Sequence, residues 1–189
     1  MAPMNRLIPW AVAALFFVAF VASFSELQRM RTRFGEVTRH QFHDHMDVRE
    51  SIIRFALDGL DNPVVFLGDS LVEMADLPKT ICGKPVVNGG VGGAQTSDFM
   101  RLAPKFLKLT KPSAIVIALG ANDPPNAPSE GLMAILRSAS PIVVSTPTAR
   151  SNFRDGDFLA DGIHLTRKAS AAWVARTVTD LEHRLTNCY

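Results

Sequence analysis

Hydrophobic and polar positions divide the chain into three stretches: a charge-free N-terminal run, a charged helical segment, and an alternation of short apolar runs with amphipathic ones. Residues 64–67 (VVFL), 86–87 (VV), 114–119 (AIVIAL) and 142–144 (IVV) are rich in β-branched side chains and have no polar face. That is the pattern of strands covered on both sides. Helical patterns lie between them, opening at Ser70 and running over 97–107, 129–137 and from Thr166 to about Leu185. Ser97, Ser129 and Thr166 are predicted N-caps, with Glu130 in a first turn. Strands alternating with helices predict parallel pairing through right-handed crossovers, hence an α/β fold, a three-layer α/β/α sandwich on a short sheet of four parallel strands.

Residues 7–24, LIPWAVAALFFVAFVASF, contain no charge and are just long enough to span a bilayer. Phe16, Phe17 and Phe20 leave no polar side, which argues against a buried soluble helix. The run exceeds a typical signal-peptide core and is followed only by the weak cleavage site Ser23-Phe24-Ser25. An uncleaved single-pass transmembrane anchor over residues 1–25 is therefore expected, a cleaved signal peptide being the alternative. Arg29, Arg31 and Arg33 follow the span and only Arg6 precedes it, which by the positive-inside rule holds the rest in the cytoplasm; a signal-like N-terminus argues for export. The expected location is the membrane, with the main domain extracytoplasmic and the orientation open.

Residues 26–60 read as a charged helical linker, with a narrow apolar stripe of Leu27, Met30, Phe34 and Val37, and residues 61–189 as the main domain. Within the linker, His40, His43 and His45 invite a metal reading. His45 would point away from the other two and no His-Glu-x-x-His pattern is present, so a solvated helix face is expected and no metal is assigned. The 189 residues, 47% of them hydrophobic, suit one domain with a core, and the net charge of +2, evenly spread, gives no nucleic-acid footprint. Cys82 and Cys188 are too few for a disulfide framework or metal site. In an exported domain they could pair and close a loop of about a hundred residues; two free thiols are the alternative.

In an open parallel sheet, ligands bind beyond the carboxyl ends of the strands. The first strand is followed by Gly68-Asp69-Ser70, the second by Asn88-Gly89-Gly90-Val91-Gly92-Gly93, the third by Gly120-Ala121-Asn122-Asp123, and Asp161-Gly162-Ile163-His164 stands before the last helix. A serine at a strand-to-helix turn becomes a nucleophile when a base removes its proton. His164 lies in a loop and can be that base; Asp161, three residues earlier, can take the other ring N–H and fix the tautomer. Ser70, His164 and Asp161 thus form a candidate catalytic triad. The Ser70 and Gly90 N–H groups and the Asn122 amide form a candidate oxyanion hole. Each block alone has a plain structural reading as a turn or cap, and NGGVGG fits neither a dinucleotide fingerprint nor a P-loop.

Taken together and in order, GDS, NGGVGG, GAND and DGIHLT resemble the four blocks of the SGNH hydrolases, also called GDSL esterases and lipases. The resemblance covers about residues 62–185. It implies the flavodoxin-like SGNH hydrolase fold and a serine ester hydrolase, with Ser70, Gly90, Asn122 and His164 as the characteristic set and no cofactor. Only about forty residues separate Asn122 from His164, which implies a reduced member of the family lacking one helix-strand pair, with residues 151–160 crossing the vacated space. The proline-rich stretch 123–128 is expected to stiffen the rim beside Asn122. The expected substrate is a small acyl ester or an acylated saccharide. Two other readings stay open: an O-acyltransferase or deacetylase acting on an envelope polysaccharide, and a non-catalytic carbohydrate-binding module of the same fold.

Overall fold

The computed structural model describes residues 8–124, 129–146, 153–185 and 188, apart from the side chains of residues 8 and 37–44. Its elements are helix α1 (Ile8–Leu57), strand β1 (Val64–Gly68), helix α2 (Ser70–Glu73), strands β2 (Thr80–Ile81) and β3 (Lys84–Gly90), helix α3 (Thr96–Leu107), strand β4 (Ala114–Ala118), helix α4 (Glu130–Ala139), strand β5 (Val143–Ser145), a 3-10 turn at Asp155–Asp157 and helix α5 (Arg167–Arg184). The chain forms two compact units, Met1–Asp44 and His45–Tyr189.

In the first unit, Pro9–Glu36 is helical and long and apolar enough to cross a membrane. Its 28 residues span about 42 Å, against a hydrocarbon thickness of ~30 Å. Trp10, Leu15, Phe16, Phe17 and Phe20 are exposed, and so are Leu27, Met30 and Phe34 of the expected stripe. Val37, His40 and His43 lie outside the described side chains.

In the second unit the strand order is β2-β3-β1-β4-β5, with β3, β1, β4 and β5 parallel and β2 antiparallel to β3. The four parallel strands are those the apolar runs predict; β2, a two-residue arm of a hairpin, was not foreseen. Alternation along β1 and β4 sends Val64, Phe66, Ala114, Val116 and Ala118 into one core with Trp173, Val174 and Leu181 of α5. Val65, Leu67, Ile115 and Ile117 are buried on the opposite face. α3 and the end of α1 are tied together there, Lys105 Nζ reaching both carboxylate oxygens of Glu50 at 2.7 and 2.8 Å.

Residues 45–57, expected within the linker, thus belong to the second unit, with Met46, Ile53 and Leu57 fully buried. Burying three such side chains is worth about 5–9 kcal/mol, of the order of the whole stability of a small domain. A chain starting at His45 is therefore expected to melt cooperatively, and one starting at Asp61 to remain unfolded; circular dichroism of the two decides it.

Cys82 and Cys188 are joined in a disulfide across 106 residues. It ties the hairpin before β3 to the chain beyond α5. A loop of that length gives up to ~4.7 kcal/mol in the chain-entropy model. Thiol titration in denaturant should detect neither cysteine before reduction and both after it; two reactive thiols in the untreated protein would show that the bond does not form.

Candidate active site

Strand β1 ends at Gly68, where a side chain would overlap both the Ala118 carbonyl and the Val72 side chain. Asp69 comes next as the N-cap of α2: it is fully buried and its Oδ1 accepts the Leu71 N–H at 3.0 Å. Its own N–H donates to the Ala118 carbonyl at 3.2 Å. The carboxylate beside the serine therefore shapes the turn. Ser70 is the first residue of α2, and its backbone N–H has no partner among the described residues, as the first turn of a helix leaves it.

His164 and Asp161 are delivered by a tight loop before α5. Phe158 and Leu165 form an antiparallel bridge, with Leu159 N–H donating to His164 O and Thr166 N–H to Asp157 O, each at 2.7 Å. At the tip, Asp161 Oδ1 accepts the N–H groups of Ile163 at 2.9 Å and His164 at 3.0 Å. Asp161 Oδ2 lies 2.8 Å from His164 Nδ1, and His164 Nε2 lies 3.1 Å from Ser70 Oγ. A carboxylate can only accept, so the proton sits on Nδ1 and the Nε2 lone pair faces the hydroxyl. Thr166, the predicted cap, accepts the Ala169 N–H and starts α5.

The candidate oxyanion donors fall differently from the expectation. Strand β3 continues through Gly90, which pairs with Gly68 of β1, and the Gly90 N–H donates to Asn88 Oδ1 at 3.0 Å. A side chain at Gly90 would overlap the Glu73 backbone. This glycine is there for close packing of α2 on the sheet, and its N–H is already occupied. The turn beyond it, Val91 to Ala94, is closed by Ala94 N–H to Val91 O at 3.1 Å with Gly93 at φ 74°, as in a type II turn. The Gly93 N–H has no partner among the described residues. Asn122 lies next to this turn, its Nδ2 donating to Ala94 O at 3.2 Å while Gln95 Nε2 donates to Asn122 O at 2.9 Å. One Asn122 amide hydrogen is thus left over. Asp123 holds the Thr96 N–H at 2.7 Å and the Thr96 hydroxyl at 2.6 Å, clamping the two loops together. The start of α3 shifts accordingly, Gln95 rather than Ser97 being its N-cap. Of the proline-rich rim, residues 125–128 lie outside the described residues, as do 151 and 152 of the crossing segment.

Beside His164 opens a cleft of about 640 Å³, walled by Leu71, Met74, Leu159 and Leu165, with Arg167 at its side. His45, considered with the other histidines as a ligand, has its Nε2 3.0 Å from Glu73 Oε2.

The Asp161 carboxyl is lowered from its ordinary 3.8 to about 2, chiefly by the His164 side chain and then by the N–H groups of Ile163 and His164. Because the folded value lies below the unfolded one, the stabilisation from this group is complete above 3.8 and is lost as pH falls through about 2. An NMR titration of the Asp161 carboxyl should give a midpoint near pH 2, and one at the unperturbed value would mean the His164 contact is not kept in solution.

No family model matches the chain, and no curated protein sequence matches it. Solved structures do. A Streptococcus pneumonia protein named for platelet activating factor superposes with a TM-score of 0.60 at 17% identity, over 77% of this chain and 96% of its own. A lipase/acylhydrolase from Enterococcus faecalis superposes with a TM-score of 0.53 at 18% identity, over 67% of this chain and 98% of its own. At such identities the likeness is one of fold, and what this chain shares with the two is a mixed α/β unit on a five-stranded, mostly parallel sheet.

Proposed function

We propose that the chain is a membrane-anchored serine ester hydrolase of the SGNH type, cleaving small acyl esters through an acyl-enzyme. The observation that carries this reading is the unbroken line from Ser70 Oγ through the His164 ring to Asp161, at 3.1 and 2.8 Å. It stands where β1 ends, at the sheet edge where such folds bind ligands.

In the first half-reaction Ser70 Oγ bonds to the ester carbonyl carbon as its proton passes to His164 Nε2; the bond to the alcohol oxygen then breaks and His164 returns the proton to it. Water repeats the sequence, losing a proton to His164 as it attacks the acyl carbon, and Ser70 leaves with that proton. Asp161 keeps Nδ1 protonated and stabilises the transient imidazolium. Negative charge on the tetrahedral oxygen is met by the Ser70 and Gly93 N–H groups and the remaining Asn122 amide hydrogen. The reaction balances without a cofactor. The apolar cleft beside His164 takes the acyl group, and the alcohol part, simple or saccharide, faces solvent.

Pro9–Glu36 serves as the anchor in this reading. The Cys82–Cys188 bond supports an extracytoplasmic side, since disulfides persist in oxidising compartments.

A fluorophosphonate probe should label Ser70, and Ser70→Ala should abolish both labelling and hydrolysis of p-nitrophenyl acetate. Asn122→Ala should lower kcat by ~10²- to 10³-fold; undiminished turnover would remove Asn122 from the hole. A folded wild-type domain that neither labels nor hydrolyses would favour a binding module instead.

A further inference from the structure

The glycine-rich turn after β3 has its backbone groups almost fully assigned. The Gly90 N–H goes to Asn88 Oδ1, Val91 N–H to Gly68 O, Gly92 N–H to Glu73 Oε2 and Ala94 N–H to Val91 O. Among these five consecutive residues only the Gly93 N–H is unused. Three side chains outside the reaction described above, those of Asn88, Glu73 and Arg49, hold the turn. Arg49 Nε donates to Gly90 O at 2.9 Å and its Nη2 to Asn88 O at 3.4 Å. Glu73 Oε1 lies 3.4 Å from Arg49 Nε, and Glu73 Oε2 receives both the Gly92 N–H and His45 Nε2. Both side chains are largely buried, at 20% exposure for Glu73 and 15% for Arg49, so the carboxylate is fixed in place by its partners.

The geometry of the turn gives this brace its effect. Gly92 and Gly93 are its two central residues, and glycine at both positions makes type I, II, I′ and II′ turns accessible. Types I and II differ by a flip of the peptide between those residues, which carries the Gly93 N–H from one face of the turn to the other. A turn with two central glycines has little stiffness of its own, so its place depends on what holds it. The buried acceptor on the Gly92 N–H fixes the Val91-Gly92 peptide that enters the turn, and Arg49 fixes the strand end that leads into it. Glu73 is the last residue of α2, so the turn is fastened to the helix that begins at Ser70.

We propose that Glu73, held by Arg49 and His45, is a positioning residue that anchors the glycine turn to the helix carrying Ser70 and so sets where the Gly93 N–H stands relative to the nucleophile. This rests on the esterase reading with Gly93 as a donor. The interaction that matters is the acceptor oxygen on Gly92, and the negative charge of Glu73 serves to keep Arg49 and His45 in place.

Two substitutions of similar volume separate the acceptor from the fold: Glu73→Gln keeps an oxygen for the Gly92 N–H, and Glu73→Met removes it. In the full chain, Glu73→Met should lower kcat by about ten- to a hundredfold, the range a misplaced catalytic group produces, with KM changed less than about twofold. Affinity for a trifluoromethyl ketone, whose adduct carries the oxyanion, should fall in parallel. Glu73→Gln should keep kcat within about threefold of wild type. Unchanged turnover in Glu73→Met, a loss of turnover with undiminished ketone affinity, or a Glu73→Gln variant as slow as Glu73→Met would each overturn the assignment. Should Glu73→Met not fold, a slow Glu73→Gln is by itself enough to reject it, and Glu73→Leu, which also lacks the acceptor, takes the place of Glu73→Met. Absence of Ser70-dependent turnover in the wild type would bring down the esterase reading and this one with it, whereas a failure confined to the Glu73 variants leaves the esterase standing.

Discussion

The site depends on how closely α2 lies against the ends of β1 and β3. Gly68 and Gly90 are register partners, and a side chain at either would overlap its surroundings, the Ala118 carbonyl in one case and the Glu73 backbone in the other. At four residues, α2 is far too short to be stable by itself. It is held from outside: Asp69 caps its start, and Asn88 Nδ2 donates to the Val72 carbonyl at 2.8 Å near its end. The sheet thus folds the helix that presents Ser70. A methyl group at either glycine would lift the serine away from the donors on the neighbouring loops.

Much of this was legible in the sequence because the strands are short, apolar and β-branched, and each hands a polar block to the same edge. The Asp161–His164 turn was legible because its contacts are local, within four residues. Gly90 was misread for a long-range reason. Asn-Gly-Gly has little strand propensity, so a reading from pattern ends the strand at Val87; pairing with β1 extends it through Gly90 and moves the spare donor to Gly93. The positive φ of Gly93 was implicit in the second glycine pair, but nothing local says which of four glycines has its N–H left over. The start of α3 was moved in the same way, by the Asp123 clamp on Thr96, a contact that sequence spacing does not reveal.

Residues 45–57 show the limit of reading charge as solvation. Their arginines and glutamates suggest a stalk, yet Glu50 is buried and Arg49 largely so. Buried charges must be paired. Glu50 is met by Lys105 at 2.7 Å with Arg101 and Arg54 farther off, while Arg49 spans Glu73 and the Gly90 carbonyl. Neighbouring residues on one helix thus serve different ends, Glu50 fastening the helix to α3 and Arg49 reaching the glycine turn. The partners on other elements lie about twenty-five to fifty-five positions away, beyond any window in which periodicity carries information.

The short edge of the sheet raises the question of what places His164. β5 is only three residues long, and no further strand comes after it among the described residues. The loop instead closes on itself through the Phe158–Leu165 bridge and packs on the residue next to the serine: Leu71, Leu165 and Ala169 form one buried cluster, with Phe153 and Phe158 against it. Phe153 and Phe158 meet edge to face at 5.9 Å, a geometry favourable for aromatic pairs. Contacts among α2, the loop and the first turn of α5 therefore hold His164 beside Ser70, and Phe153 joins this cluster to the core that includes Val144 of β5. The histidine is thus referenced to the serine's own helix.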